Sequence, residues 1–238
     1  LAKFFIDPGH GGTDVGAVAN GLQEKNLTLA IAKKIRDFLL QYENTEVRLS
    51  RDTDKTLSLK QRTDMANAWG ADYLISVHIN AGGGTGFESY IHTNASKASV
   101  NFQNIIHPEI VKQLDFTDRG KKRANFHMVR ESNMPAILTE NGFIDTQADA
   151  NKLKQDAYIT RIAQGHVNGV VEAFRLKKKG GSTVAEQKLT AAQEKVRQEA
   201  IRLGITDGKN PFREANQFYV WACLVPLAQR IEELEKKL

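Results

Sequence analysis

The sequence predicts an α/β fold, a mixed and mostly parallel twisted sheet flanked by helices, with a small helical module at the C-terminal end. Three observations predict it. Apolar runs of strand length alternate with stretches of helical periodicity over the first 176 residues, the pattern of layered sheet and helices. The first apolar run opens straight into a glycine-rich loop, Pro8-Gly9-His10-Gly11-Gly12, and loops at the carboxyl edge of such sheets are where ligands sit. Lys177-Lys178-Lys179-Gly180-Gly181-Ser182-Thr183 then breaks the alternation with the like charges and flexible residues of a linker.

Lys3 to Asp7 reads as a buried strand. From Lys25 to Tyr42, residues Leu27, Ala30, Ile31, Ile35, Phe38 and Leu39 fall on one helical stripe. Glu46 to Arg51 is the next strand, Leu59 to Trp69 a second helix, Tyr73 to Asn80 a strand with His78 near its end, and Phe87 to His92 another strand. A helix follows from Ala95 to Leu114, interrupted or bent at Pro108 because proline removes a backbone donor. Phe126 to Arg130 and Ala136 to Asn141 read as two further strands. Ala157 to Leu176 closes the unit as an amphipathic helix carrying Ile159, Ile162, Val167 and Val170 on its apolar face.

Residues 1–176 therefore form one domain, 177–189 a linker and 190–238 a second, helical module. Thr190 caps a helix that Gly204 ends, and a turn over 206–211 leads into a second helix. Ile201, Phe218, Trp221 and Leu224 are more apolar surface than a two-helix hairpin buries alone. They are expected to pack on the first domain or on another copy of the chain, giving a homo-oligomer.

An apolar fraction of 41% and a charged fraction of 26% are those of a soluble globular protein and exclude a disordered chain. No apolar run approaches the roughly 20 residues of a membrane span. The first residues run directly into the glycine loop, leaving no room for a secretory signal; release from the cytoplasm by a holin or by lysis is the export route this implies. Cys223 is the one cysteine, so an intrachain disulfide is excluded and any metal site is built from histidines and carboxylates. Of the net charge of +5, most lies after residue 176, where 12 Lys and Arg face 8 Asp and Glu; a basic tail suits a polyanion.

The pattern that carries chemistry is a histidine on the first loop, a glutamate opening the next helix, and a histidine at the end of a later strand. His10, Glu24 and His78 all fall on the carboxyl edge of the expected sheet. Two imidazoles and one carboxylate leave a zinc ion an open position, as catalytic sites do. Each residue alone has a plainer explanation: a turn histidine, a helix-start carboxylate facing the dipole, a strand-end histidine. Glu140, at the end of a later strand, reaches the same rim, and Asn80, two residues past His78, orients substrate or serves a turn.

These residues lie in segments that resemble one family, the zinc-dependent N-acetylmuramoyl-L-alanine amidases of bacterial autolysins and phage endolysins. The similar stretches are Ile6-Asp7-Pro8-Gly9-His10-Gly11-Gly12, Glu24-Lys25-Asn26-Leu27, Leu49-Ser50-Arg51-Asp52, the segment from Ala71 to Ala81 around His78, Arg119-Gly120, and Met134 to Ile144 around Glu140. The resemblance covers about residues 3–176. It implies that His10, Glu24 and His78 bind zinc, that Glu140 is the catalytic acid and base, and that the substrate is peptidoglycan, cut between N-acetylmuramic acid and L-alanine. It also implies action on the bacterial wall; with a wall substrate, the polyanions that the basic C-terminal module would reach are expected to be anionic wall polymers, with no nucleic acid among the partners. Thr139 and Asn141 depart from the family pattern beside Glu140. Two other readings stay open on the residues themselves: a zinc peptidase cutting within the stem peptide, and a wall-binding protein without turnover.

Overall fold

Phe4, Phe5 and Ile6 are fully or almost fully buried and form the middle of β1 (Ala2–Pro8), the strand from which the site is built. In the computed structural model, which describes residues 1–179 and, beyond them, Lys195, Gln198, Glu199 and Arg202, six strands form the principal sheet. They are β1, β4 (Thr45–Leu49), β5 (Tyr73–Asn80), β6 (Phe87–Ile91), β7 (Asp118–Arg123) and β8 (Ala136–Phe143). Their order is β4-β1-β5-β8-β6-β7. All neighbours run parallel except β6 and β8, so the sheet is mixed and mostly parallel, as the sequence predicts. A two-stranded ribbon, β2 (Val18–Ala19) and β3 (Leu22–Gln23), precedes the first helix.

Helices flank the sheet. Packed onto it from one side are α1 (Glu24–Leu39), α3 (Lys97–Gln113) and α6 (Asp156–Phe174), whose buried residues Ile31, Ile35, Ile106, Ile110, Ile162 and Val167 share one cluster with Phe4, Ile75 and Ile137. On the other side Phe5, Leu74 and Leu138 pack with Ala66 of α2 (Leu59–Trp69) and Met128 of α4 (His127–Arg130). A short α5 (Gln147–Leu153) follows β8. Helix α2 begins at a capping box between Ser58 and Gln61 and stops at Gly70 in the left-handed region, each a local signal written in the sequence.

Two expectations need correction. Phe126 to Arg130 is helical, not a strand: Met128 and Val129 are both buried, and adjacent buried positions suit a helical turn rather than strand alternation. Of the two outcomes expected at Pro108, interruption or a bend, the first does not occur, since helix α3 is continuous through it. Strands β2, β3 and β7 and helix α5 add to the elements read from sequence. The chain divides into two compact units, Leu1–Gly181 and Ser182–Leu238. Lys177 and Lys179 bond through their backbones to Glu43 and Gln41. The expected linker beyond 179 and the module at 190–238 otherwise lie outside the described residues.

Candidate active site

His10 follows β1 with a φ of 63°, a left-handed conformation that costs a non-glycine residue roughly 1–3 kcal/mol. Two buried guanidinium groups hold the loop in it. Arg62 donates from Nη1 to the Asp7 carboxylate at 2.9 Å and to the Pro8 carbonyl at 2.7 Å, and from Nη2 to the His10 carbonyl at 2.7 Å. Arg51 donates to the carbonyls of Pro8, Gly9 and Lys25 at 3.2, 2.9 and 2.8 Å. Gly9 has no side chain for a reason: a Cβ there would stand 2.3 Å from the His78 ring.

Glu24 is the first residue of α1 and joins the two histidines. Its Oε2 is 3.2 Å from His10 Nε2 and its Oε1 3.0 Å from His78 Nδ1. The backbone N–H groups of Ala17 and Ile79 donate to the same carboxylate at 2.9 and 3.0 Å, which fixes its plane. One donor atom from each of His10, Glu24 and His78 lies within 4.8 Å of the others. This donor set fits a metal ion. Asp14, which the sequence reading did not single out, faces His10 Nδ1 at 2.9 Å and so turns the Nε2 lone pair toward the cluster. Its one signal in the sequence is a carboxylate four residues after the loop histidine.

The charges are interlocked. Burial acts to lower the His10 pKa, but the hydrogen bonds and charges of Glu24 and Asp14 outweigh it and carry it to about 9. His78 is likewise raised against its burial, by Glu24 and Glu140. Burial favours the neutral form of Glu24, yet the two histidines hold it far below the usual carboxylate range. A cation held by this cluster would take the place of the protons on the imidazoles.

Glu140 stands in register with His78 across β5 and β8, so the two side chains share a face of the sheet. Burial pushes its carboxyl up to about 7. Its Oε2 is buried with no hydrogen-bond partner among the described residues, an arrangement costing roughly 1–3 kcal/mol and a mark of a functional position. A cavity of about 230 Å³ opens beside the histidines, lined by Asp14, Leu57, Leu59 and Arg62 among others.

Other sequence candidates lie apart from the cluster. Asn80 donates to Glu88 Oε1 at 2.8 Å and accepts the Ala81 N–H at 2.8 Å, so both ends of its amide are engaged by protein. His127 sits on α4 and meets Thr63 Oγ1 at 3.3 Å. His92 meets Asn125, and His107 bridges Ser89 and Asp118. Thr139 and Asn141 form a buried set with His166: Thr139 Oγ1 is 3.0 Å from His166 Nε2, and Asn141 Nδ2 donates to Thr139 Oγ1 and to the His78 carbonyl.

Comparison with known proteins places this geometry. Residues 4–172 match the family described as N-acetylmuramoyl-L-alanine amidase. The chain is 58% identical over 179 residues to the N-acetylmuramoyl-L-alanine amidase CwlM of Bacillus licheniformis, covering 75% of this chain and 71% of that one. It is 42% identical over 189 residues to the endolysin of Bacillus phage SPP1, covering 77% and 70%. The catalytic domain of CwlV, an N-acetylmuramoyl-L-alanine amidase from Bacillus (Paenibacillus) polymyxa var. colistinus, superposes with a TM-score of 0.71 at 35% identity, over 74% of this chain and all of that domain. Matched by this family over residues 4–172 and by relatives over some three quarters of its length, the chain belongs to the N-acetylmuramoyl-L-alanine amidases.

Proposed function

We propose that the chain hydrolyses the amide between N-acetylmuramic acid and the L-alanine of peptidoglycan stem peptides, with zinc held by His10, Glu24 and His78 and with Glu140 moving the proton. The observation that carries this reading is the buried, unpartnered Oε2 of Glu140, in register with His78 beside a three-donor cluster. Two imidazoles and a carboxylate are the ligand set of hydrolytic zinc enzymes. When bound, zinc supplies Lewis-acid activation of water and of the amide carbonyl.

The chain's own residues supply the rest. Asp14 and the two buried arginines keep His10 oriented, and the backbone donors of Ala17 and Ile79 keep Glu24 oriented. Glu140 takes a proton from the attacking water and returns it to the leaving nitrogen, which is why a carboxyl near 7 suits the task. The peptide bonds within the stem are the competing target, but the relatives' names specify the muramoyl amide. A basic tail after residue 176 supports wall localisation through anionic polymers. Deletion of residues 180–238 is then expected to weaken salt-dependent wall binding.

Mass spectrometry of digested peptidoglycan tests the reaction. New amino-terminal alanine with intact glycan strands is the expected product; new termini within the peptide instead establish a peptidase, and an unchanged wall removes the hydrolase reading.

A further inference from the structure

One row of side chains crosses four strands. His78 on β5 is in register with Glu140 on β8, and Glu140 with Glu88 on β6. On β7 the register slips by one residue between the partners of Phe87 and Ser89. This sets Arg119 and Gly120 together opposite Glu88, the arrangement by which a bulge re-aims a side chain. The Glu88 side chain is 3% exposed. Its Oε1 accepts from Asn80 Nδ2 and Tyr90 OH at 2.8 and 2.7 Å, and its Oε2 from Arg119 Nε at 2.7 Å and from Lys122 Nζ.

Arg119 is held on two sides and open on a third. Its Nε is clamped by Glu88, its guanidinium lies 4.8 Å over the Phe143 ring, and Nη1 has only a 3.5 Å contact with the Thr85 carbonyl. No hydrogen bond to Nη2 is seen among the described residues. The Arg119 and Lys122 side chains are each 35% exposed, so two cations, tethered to one buried anion, face outward on the flank of Glu140. A guanidinium ordered in advance loses little entropy on taking a carboxylate in its planar fork. Strands lie roughly 4.8 Å apart, so Arg119 starts roughly 10 Å from Glu140. An extended peptide advances roughly 3.3–3.6 Å per residue, and a carboxylate one or two residues beyond the cleaved amide comes within the reach of the arginine side chain.

We propose that Arg119, ordered by Glu88 and Phe143 and assisted by Lys122, is a subsite for a free carboxylate on the peptide side of the substrate and sets a preference for acidic over amidated stem peptides. This rests on the amidase reading above. Because the carboxylate is remote from the reacting atoms, its capture acts equally on bound substrate and transition state and shows in KM more than in kcat.

The test uses two N-acetylmuramoyl-L-alanyl-D-glutamyl peptides that differ only in whether the α-carboxylate is free or amidated. The full-length protein is expected to favour the free acid in kcat/KM by about tenfold or more, the size of a charged hydrogen-bonded pair. Arg119→Ala brings the ratio toward one, Arg119→Lys leaves an intermediate ratio, and the change lies in KM. Thermal melts check that the variants fold; should Arg119→Ala fail to fold, Arg119→Lys decides. A wild-type ratio near one, or a ratio unchanged in the folded variant, overturns the subsite. Cleavage of neither peptide, with walls also left intact, removes the amidase reading and the subsite with it.

Discussion

The Nη2 group of Arg62 donates to the backbone carbonyl of His10 at 2.7 Å, while its Nη1 is 2.9 Å from Asp7, and the Arg62 and Asp7 side chains are 2% and 1% exposed. The arginine is thus both half of a buried ion pair and the clasp on the loop that presents His10. Arg62→Ala strands the Asp7 charge, and breaking a buried pair on one side costs about 3–5 kcal/mol. Chemical denaturation of the variant is expected to show that loss, with zinc held more weakly by chelator competition. A variant with wild-type stability would show that Arg62 does not hold the loop.

Asp14 separates orientation from folding. Its side chain is 59% exposed, so Asp14→Ala is expected to leave the melting temperature within a few degrees of wild type. Loss of the His10 Nδ1 partner nevertheless lowers zinc affinity, by about 10–100-fold for such supporting groups. Competition with a chromogenic chelator measures this; unchanged affinity would mean that Arg62 and Glu24 alone orient the ring.

His166 gives the fold an acid-sensitive point outside the His10–Glu24–His78 cluster. Its Nδ1 faces the Ile162 carbonyl at 2.8 Å, an acceptor only, so Nδ1 carries the proton and Nε2 accepts from Thr139. Burial lowers its pKa to about 4, against about 6.5 in an unfolded chain. Between those values the unfolded chain binds the extra proton, so this contribution is complete above pH 6.5 and is lost as the pH falls toward 4, on the order of 3 kcal/mol. Urea midpoints from pH 7 to 4 are expected to fall less steeply in His166→Gln than in wild type. Equal slopes would place the acid sensitivity elsewhere.

The elements that the sequence announces are those with local signals. Helix α2 and strand β5 are found at the bounds read from sequence, since Ser58, Gln61 and Gly70 mark the helix ends and Tyr73 to Val77 is one buried run. Strand β7 could not be read that way: Asp-Arg-Gly-Lys-Lys-Arg holds no apolar residue, and it is a strand because it pairs with β6 at the sheet edge. The β2–β3 ribbon was not read either, although Asn20-Gly21 is a hairpin signal; both residues take positive φ in its two-residue turn. Of the candidate site, the convergence of His10, Glu24 and His78 was legible from their places at strand and helix ends, whereas Glu140, which lies inside β8 and not at its end, was singled out through the family resemblance. Asp14 and Glu88 were not, because their roles depend on where a left-handed histidine and an edge strand bring their partners.

The proposed division of labour between three metal ligands and one proton carrier is tested most directly by Glu140→Gln, with zinc content and turnover measured on the same preparation. Glutamine keeps the shape of the buried side chain but accepts no proton. The variant is expected to retain its zinc and to lose about 10²–10⁴-fold in turnover. Loss of the metal would make Glu140 a ligand, and wild-type turnover with full zinc would contradict its role as the proton carrier.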